Sequence, residues 1–160
     1  MSIDETDPDA FIRRYGALFE HSPWVVVRAA ARLPLGDIWT GLMAVVHDAT
    51  PDEQIALIRA HPELAGKAAI DRTLTEASAA EEASAGLDRL TPEEFERFQA
   101  LNAAYRERFD FPFIICVRLT DKTGILAAME SRLADDRETE IATALAEIGK
   151  IVRLRLADVP

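Results

Sequence analysis

Three short stretches carry polar residues that packing alone would not demand. His61-Pro62-Glu63-Leu64-Ala65-Gly66-Lys67 follows an apolar helical stretch. Ser78-Ala79-Ala80-Glu81-Glu82 comes next, and Phe111-Pro112-Phe113-Ile114-Ile115 follows one helix later. A proline directly after His61 stops the helix and fixes the imidazole at its mouth. Ser78, Glu81 and Glu82 fall at i, i+3 and i+4 of the next helix, which puts all three on one face. An imidazole opposite a hydroxyl and two carboxylates is a workable acid–base site. Its unperturbed pKa of about 6.5 suits proton transfer at neutral pH.

Each group also has a plainer reading. A histidine at a helix end suits the helix dipole when protonated, and an acidic, alanine-rich helix is commonly a solvated face. His47 closes an apolar helix beside Asp48, and His21 precedes Ser22-Pro23; both read as surface or capping histidines. Asn102 and Tyr105, at i and i+3, read as structural hydrogen-bonding groups. Neither His-Glu-x-x-His nor a Cys/His cluster occurs, so no metal site is expected. A phosphate-cradling glycine loop and a Gly-x-Ser-x-Gly elbow are missing too. Chemistry here is expected to be cofactor-free.

The elements that must position these groups are helices. Thr50-Pro51 and Thr91-Pro92 open helices with capping-box spacing to Glu53 and Glu94, and Ser22-Pro23 reads as a third such start. Apolar residues recur behind those starts at helical intervals: Phe95, Phe98, Leu101 and Tyr105 in one helix; Ile141, Leu145, Ile148 and Val152 in the last. The pattern predicts helices near 8–20, 23–33, 37–48, 51–60, 75–89, 92–108, 122–134 and 137–156. Only Phe109 to Leu119 breaks the period. Its β-branched run favours an extended backbone, yet one strand has no partner in a helical chain. A buried extended segment crossing the bundle is expected, its backbone polar groups needing partners. The expected architecture is all-α: one domain over 1–160, about eight helices, with residues 1–7 a flexible N-terminus.

At 160 residues the chain is long enough to bury a core, and 49% hydrophobic with 29% charged residues is ordinary for a globular protein. A net charge of −10 argues against a nucleic-acid surface and means that an anionic substrate would need a locally basic pocket. Cys116 is the single cysteine; set in Ile114-Ile115-Cys116-Val117 it reads as a buried, inert thiol suited to a reducing compartment. The acidic Met1-Ser2-Ile3-Asp4-Glu5 does not read as a signal peptide, no run approaches the ~20 apolar residues of a membrane span, and Asp158-Val159-Pro160 is no peroxisomal address. A soluble, cytoplasmic protein without membrane or nucleic-acid partners is expected.

Taken in order, the motifs resemble those of OHCU decarboxylases, which act on 2-oxo-4-hydroxy-4-carboxy-5-ureidoimidazoline in urate breakdown. The likeness rests on His61 to Lys67, on Ser78-x-x-Glu81 with Ala85-Gly86-Leu87 behind it, and on Leu101-Asn102, Tyr105, Phe109 and Phe111-Pro112-Phe113-Ile114. It takes in Phe19 to Val25 and Lys150-Ile151 with Arg155-Leu156, running from Phe11 to Leu156. The resemblance implies cofactor-free decarboxylation to (S)-allantoin by a homodimer. It implies that His61 and Glu81 are catalytic, and that Pro62, Ser78, Glu82, Phe113, Ile115 and Arg155 bind substrate, Arg155 through its planar guanidinium. Arg153 is the rival if the register slips by two. Glu82 departs from the family's usual glutamine: a carboxylate accepts but does not donate unless protonated, and it would repel an anionic substrate. Two other outcomes stay open on the sequence: a family member that binds a related ureide with altered or lost catalysis, and an all-α interaction module.

Overall fold

Capping chemistry sets where the helices begin. In the computed structural model, which describes residues 6–160, α1 (Pro8–Tyr15) starts at Asp7, whose side chain accepts from the N–H groups of Asp9 and Ala10. The pairs Thr50/Glu53 and Thr91/Glu94 form the expected reciprocal capping boxes at α4 (Pro51–Arg59) and α7 (Pro92–Phe109). Each box satisfies two N–H groups that the first turn leaves orphaned. Asp37 caps α3 (Ile38–Asp48), Thr75 caps α6 (Glu76–Ser84), and Asp121 caps α8 (Lys122–Arg132). The remaining helices are α2 (Trp24–Ala30), the single turn α5 (Lys67–Ile70) and α9 (Arg137–Asp158). The chain is all-α, with no strand among the described residues.

Each of the eight expected helices is present, with differences at several ends: α1 stops at Tyr15, where a 3-10 turn over Gly16–Phe19 replaces the expected run to 20, and α2 ends at Ala30, not 33. Helix α2 begins one residue late: Pro23, already helical at φ −64° and ψ −16°, takes the capping position without a side-chain cap, and the Ser22 carbonyl accepts from Val25 at 3.4 Å. Helix α6 stops at Ser84, not 89. There Gly86, at φ +85°, closes a Schellman motif in which Leu87 N–H bonds to Glu82 O at 3.0 Å and Gly86 N–H to Ala83 O at 3.1 Å. The turn α5 fell in a stretch with no apolar period, and the Lys67 side chain lies outside the described residues. So does most of the expected flexible N-terminus, residues 1–5.

The chain divides into two compact units, one of residues up to Ala60 with Gly149–Pro160, the other His61–Ile148. In the first, Phe11 and Tyr15 lie with ring centroids 4.9 Å apart, and Trp39 Nε1 donates to Gly149 O at 2.8 Å. In the second, Tyr105, Phe109, Phe111 and Phe113 form an aromatic cluster with centroids 4.6–6.0 Å apart around Tyr105 and Phe109. Leaving α7 through Asp110 at φ +61°, the chain runs irregularly to a 3-10 turn at Val117–Leu119. This is the buried non-helical segment expected from the sequence: Phe111, Phe113, Ile114, Cys116 and Val117 are all buried.

Candidate active site

The loop that begins at His61 is held by side chains from two helices. Helix α4 ends at its cap Ala60, so the half-buried His61 is the first residue outside it, as the following proline requires. Beyond Pro62, also half-buried, four consecutive groups find partners. Glu63 pairs with Arg106, Leu64 O accepts from Asn102 Nδ2 at 2.8 Å, and Ala65 O accepts from Gln99 Nε2 at 2.7 Å. Ala65 N–H donates to Glu82 Oε1 at 2.9 Å. Gln99, Asn102 and Arg106 are spaced i, i+3 and i+7, so one face of α7 grips three successive loop residues.

That grip offsets local strain. Ala65 has φ +51°, a left-handed conformation that costs a residue with a Cβ about 1–2 kcal/mol. Next to it, a Cβ on Gly66 would lie 2.9 Å from Glu63 Cβ and 3.1 Å from Glu63 O, so only glycine fits that turn.

Helix α6 touches the loop through Glu82, and it is not a wholly solvated acidic face. Ser78 and Glu82 are buried, and Glu81 is half-buried. The Ser78 N–H is fixed by the Thr75 cap at 3.1 Å. Glu82 therefore already has an acceptor's role within the protein, towards Ala65.

The non-helical segment supplies backbone. Phe113 is buried, its ring edge-on to Tyr105 at 5.3 Å and beneath the Arg132 guanidinium at 4.3 Å. Ile114 O accepts from Arg132 Nη1 at 2.7 Å, and Cys116 N–H donates to Glu147 Oε1 at 3.1 Å. Among the described residues the main-chain N–H and C=O groups of Phe113 and Ile115 have no hydrogen-bond partner. Such groups are rare in a buried stretch and invite a ligand or water. Behind the segment, Tyr105 OH and Arg132 Nε both donate to Glu140 Oε1, at 2.6 and 2.8 Å. Burial pushes the Glu140 carboxyl above its ordinary value although Tyr105 and Arg132 pull the other way, and burial with the adjacent Glu140 pushes the Tyr105 phenol up.

Arg155 belongs to the other unit. Its side chain is 10% exposed, Nη2 lies 2.6 Å from Glu20 Oε1, and Nη1 donates to Leu18 O at 3.3 Å. Arg153, the rival, is exposed and lies over the Trp39 ring at 4.6 Å. Arg155 is thus held in an ion pair shielded from solvent. His21 and His47 are exposed, as expected.

A pocket of about 680 Å³ borders the loop, walled by Ala65, Leu74, Glu82, Leu87, Leu90 and Phe95 among others. None of His61, Ser78, Glu81, Phe113 and Ile115 lines it. Among the described residues no cluster of three or more His, Cys, Asp or Glu side chains is placed to hold a metal ion, and no helix is long and apolar enough to cross a membrane.

Sequence reasoning missed Gln99, Arg106, Arg132, Glu140 and Glu147. Gln99 and Arg106 were findable as polar partners of Asn102 on one helical stripe. Glu140 and Glu147, seven apart with Ala144 between them, occupy the core face of α9, an acidic interruption of an apolar period. Arg132 left no signal, because its partners are distant in the chain.

The comparisons with known proteins bear on the family and the fold. The OHCU decarboxylase family model matches residues 4–157. A 2-oxo-4-hydroxy-4-carboxy-5-ureidoimidazoline decarboxylase of Haloferax volcanii is 41% identical, covering 99% of this chain and 94% of its own. A uric acid degradation bifunctional protein of Bacillus subtilis is 38% identical over 98% of this chain, which spans 32% of that longer protein. Among solved structures, an (S)-allantoin synthase superposes with a TM-score of 0.72 at 28% identity, over 94% of this chain and 49% of that one. Matched along almost its whole length by both the family model and a relative of this identity, the chain belongs to the OHCU decarboxylase family.

Proposed function

We propose that the chain decarboxylates 2-oxo-4-hydroxy-4-carboxy-5-ureidoimidazoline to (S)-allantoin, without a cofactor, in urate degradation. The observation that carries this reading is the His61 loop, held in a strained shape by Glu82, Gln99, Asn102 and Arg106. Strain retained at such a loop is characteristic of functional sites, where it serves to hold reacting groups in place.

The substrate carries its carboxylate on a ring carbon next to a carbon–nitrogen double bond. When the carbon–carbon bond breaks, its electron pair passes towards that double bond and carbon dioxide leaves. The substrate is its own electron sink, which is why neither a metal nor another group is needed. A proton added to the ureido-bearing carbon from one face gives a single enantiomer.

In this reading His61 is the acid–base residue and Pro62 fixes its approach. Glu81 accepts from a substrate hydroxyl or ureido group, or orients the imidazole. Ser78 binds the substrate from α6, and the main-chain groups of Phe113 and Ile115 read the ring amide. Arg155 anchors an anionic oxygen. Glu82 shapes the wall through Ala65, and a glutamine oxygen would accept the same bond. The protein works as a cytoplasmic homodimer on this reading.

The test is to generate the ureidoimidazoline in situ from urate and follow circular dichroism as protein is added. A rapid rise of the (S)-allantoin signal supports the proposal. Racemic product at the uncatalysed rate rejects it.

A further inference from the structure

Arg132 makes three directed contacts from the last turn of α8, and its side chain is only 11% exposed. Nε pairs with Glu140, Nη1 donates to Ile114 O, and the guanidinium plane covers the Phe113 ring. Glu140 is 0% exposed and is itself held by Tyr105 OH, while the Tyr105 ring lies edge-on to Phe113. On the far side of Ile115, Glu147 holds Cys116 N–H.

A stretch without helix or sheet partners has no ladder to fix its backbone. Side chains must do so if its free N–H and C=O groups are to meet a ligand within about 0.5 Å of the productive position. Stability does not explain the charges, because a buried ion pair is often no more stabilising than apolar residues of the same size. What the pair supplies is direction: two fixed donors and a flat cation above one ring.

We infer that Arg132, buttressed by Glu140 and Tyr105, is a positioning residue that sets the Phe113–Ile115 backbone to read the substrate's ring. This rests on the proposed decarboxylase reading. Arg132→Lys keeps the charge but cannot reproduce two directed bonds and the ring contact together. It is expected to stay folded by near-ultraviolet circular dichroism, to raise KM for the ureidoimidazoline about tenfold, and to change kcat less than threefold. Tyr105→Phe, which removes one hydroxyl, is expected to move KM the same way by about threefold, and it serves as the test should the lysine variant fail to fold. An active wild-type enzyme with KM within twofold of normal in the folded variants overturns the inference alone. An inactive wild-type protein overturns the decarboxylase reading, and the inference falls with it.

Discussion

Glu82 Oε1 accepts the N–H of Ala65 at 2.9 Å, joining the first turns of the His61 loop to α6 across 17 residues of sequence. Both residues are buried, and Ala65 holds a left-handed conformation that this bond helps to keep. The residue that departs from the family pattern is therefore a support of the loop.

That relationship predicts different outcomes for two substitutions. Glu82→Gln retains an acceptor, and stability should change by less than about 1 kcal/mol with decarboxylation kept within about tenfold. Glu82→Ala strands a buried N–H, which costs about 1–3 kcal/mol. Urea denaturation of both variants checks this, and equal losses in the two would mean that the bond is not what Glu82 contributes.

The Arg155–Glu20 pair predicts coupled stability. Removing one partner of a buried ion pair leaves an uncompensated charge, so Arg155→Met should lose about 3 kcal/mol. Adding Glu20→Gln should then recover more than half of the loss. Denaturation midpoints for the full double-mutant cycle check it; simple additivity would show that the two side chains act independently.

Glu140 predicts an unusual pH dependence. Its folded-state pKa lies above the ordinary value of 4.5, chiefly because burial disfavours the anion. Between that ordinary value and the raised one, the folded state holds more protons than the unfolded state, so this group's contribution to stability is lost as pH rises through the folded pKa. Glu140→Gln removes the dependence. Relative to wild type it should therefore gain stability from pH 4 upwards, whatever its offset at a single pH. Thermal melts across pH 4–8 check the slope; a constant difference would place the carboxyl at its ordinary value.

Helix starts were legible because capping is local: Thr50, Thr91 and their glutamates identify α4 and α7 within a window of four residues. The end of α6 was missed: Gly86 marks it, but a run of good helix formers around it hid that signal. His61, Ser78 and Glu81 could be singled out by spacing and resemblance. The supports could not, because Glu82–Ala65, Arg106–Glu63 and Arg132–Ile114 join residues 17, 43 and 18 positions apart. Such pairings are settled by tertiary packing; the sequence marks Gln99 and Arg106 as polar residues on one stripe of α7 with Asn102, but not what they grip. The Ser22 expectation failed for a local reason: Pro23 enters the helical conformation on its own and leaves the serine hydroxyl without a capping role.

In the proposed reaction His61 moves the proton. A positioned acid–base group contributes about 10²–10⁴-fold in rate. The most direct measurement follows the (S)-allantoin circular dichroism signal from freshly generated substrate with wild type and with folded His61→Ala side by side. His61→Ala is expected to lose that much rate together with its enantiomeric excess. Full activity and unchanged stereochemistry in His61→Ala would contradict it.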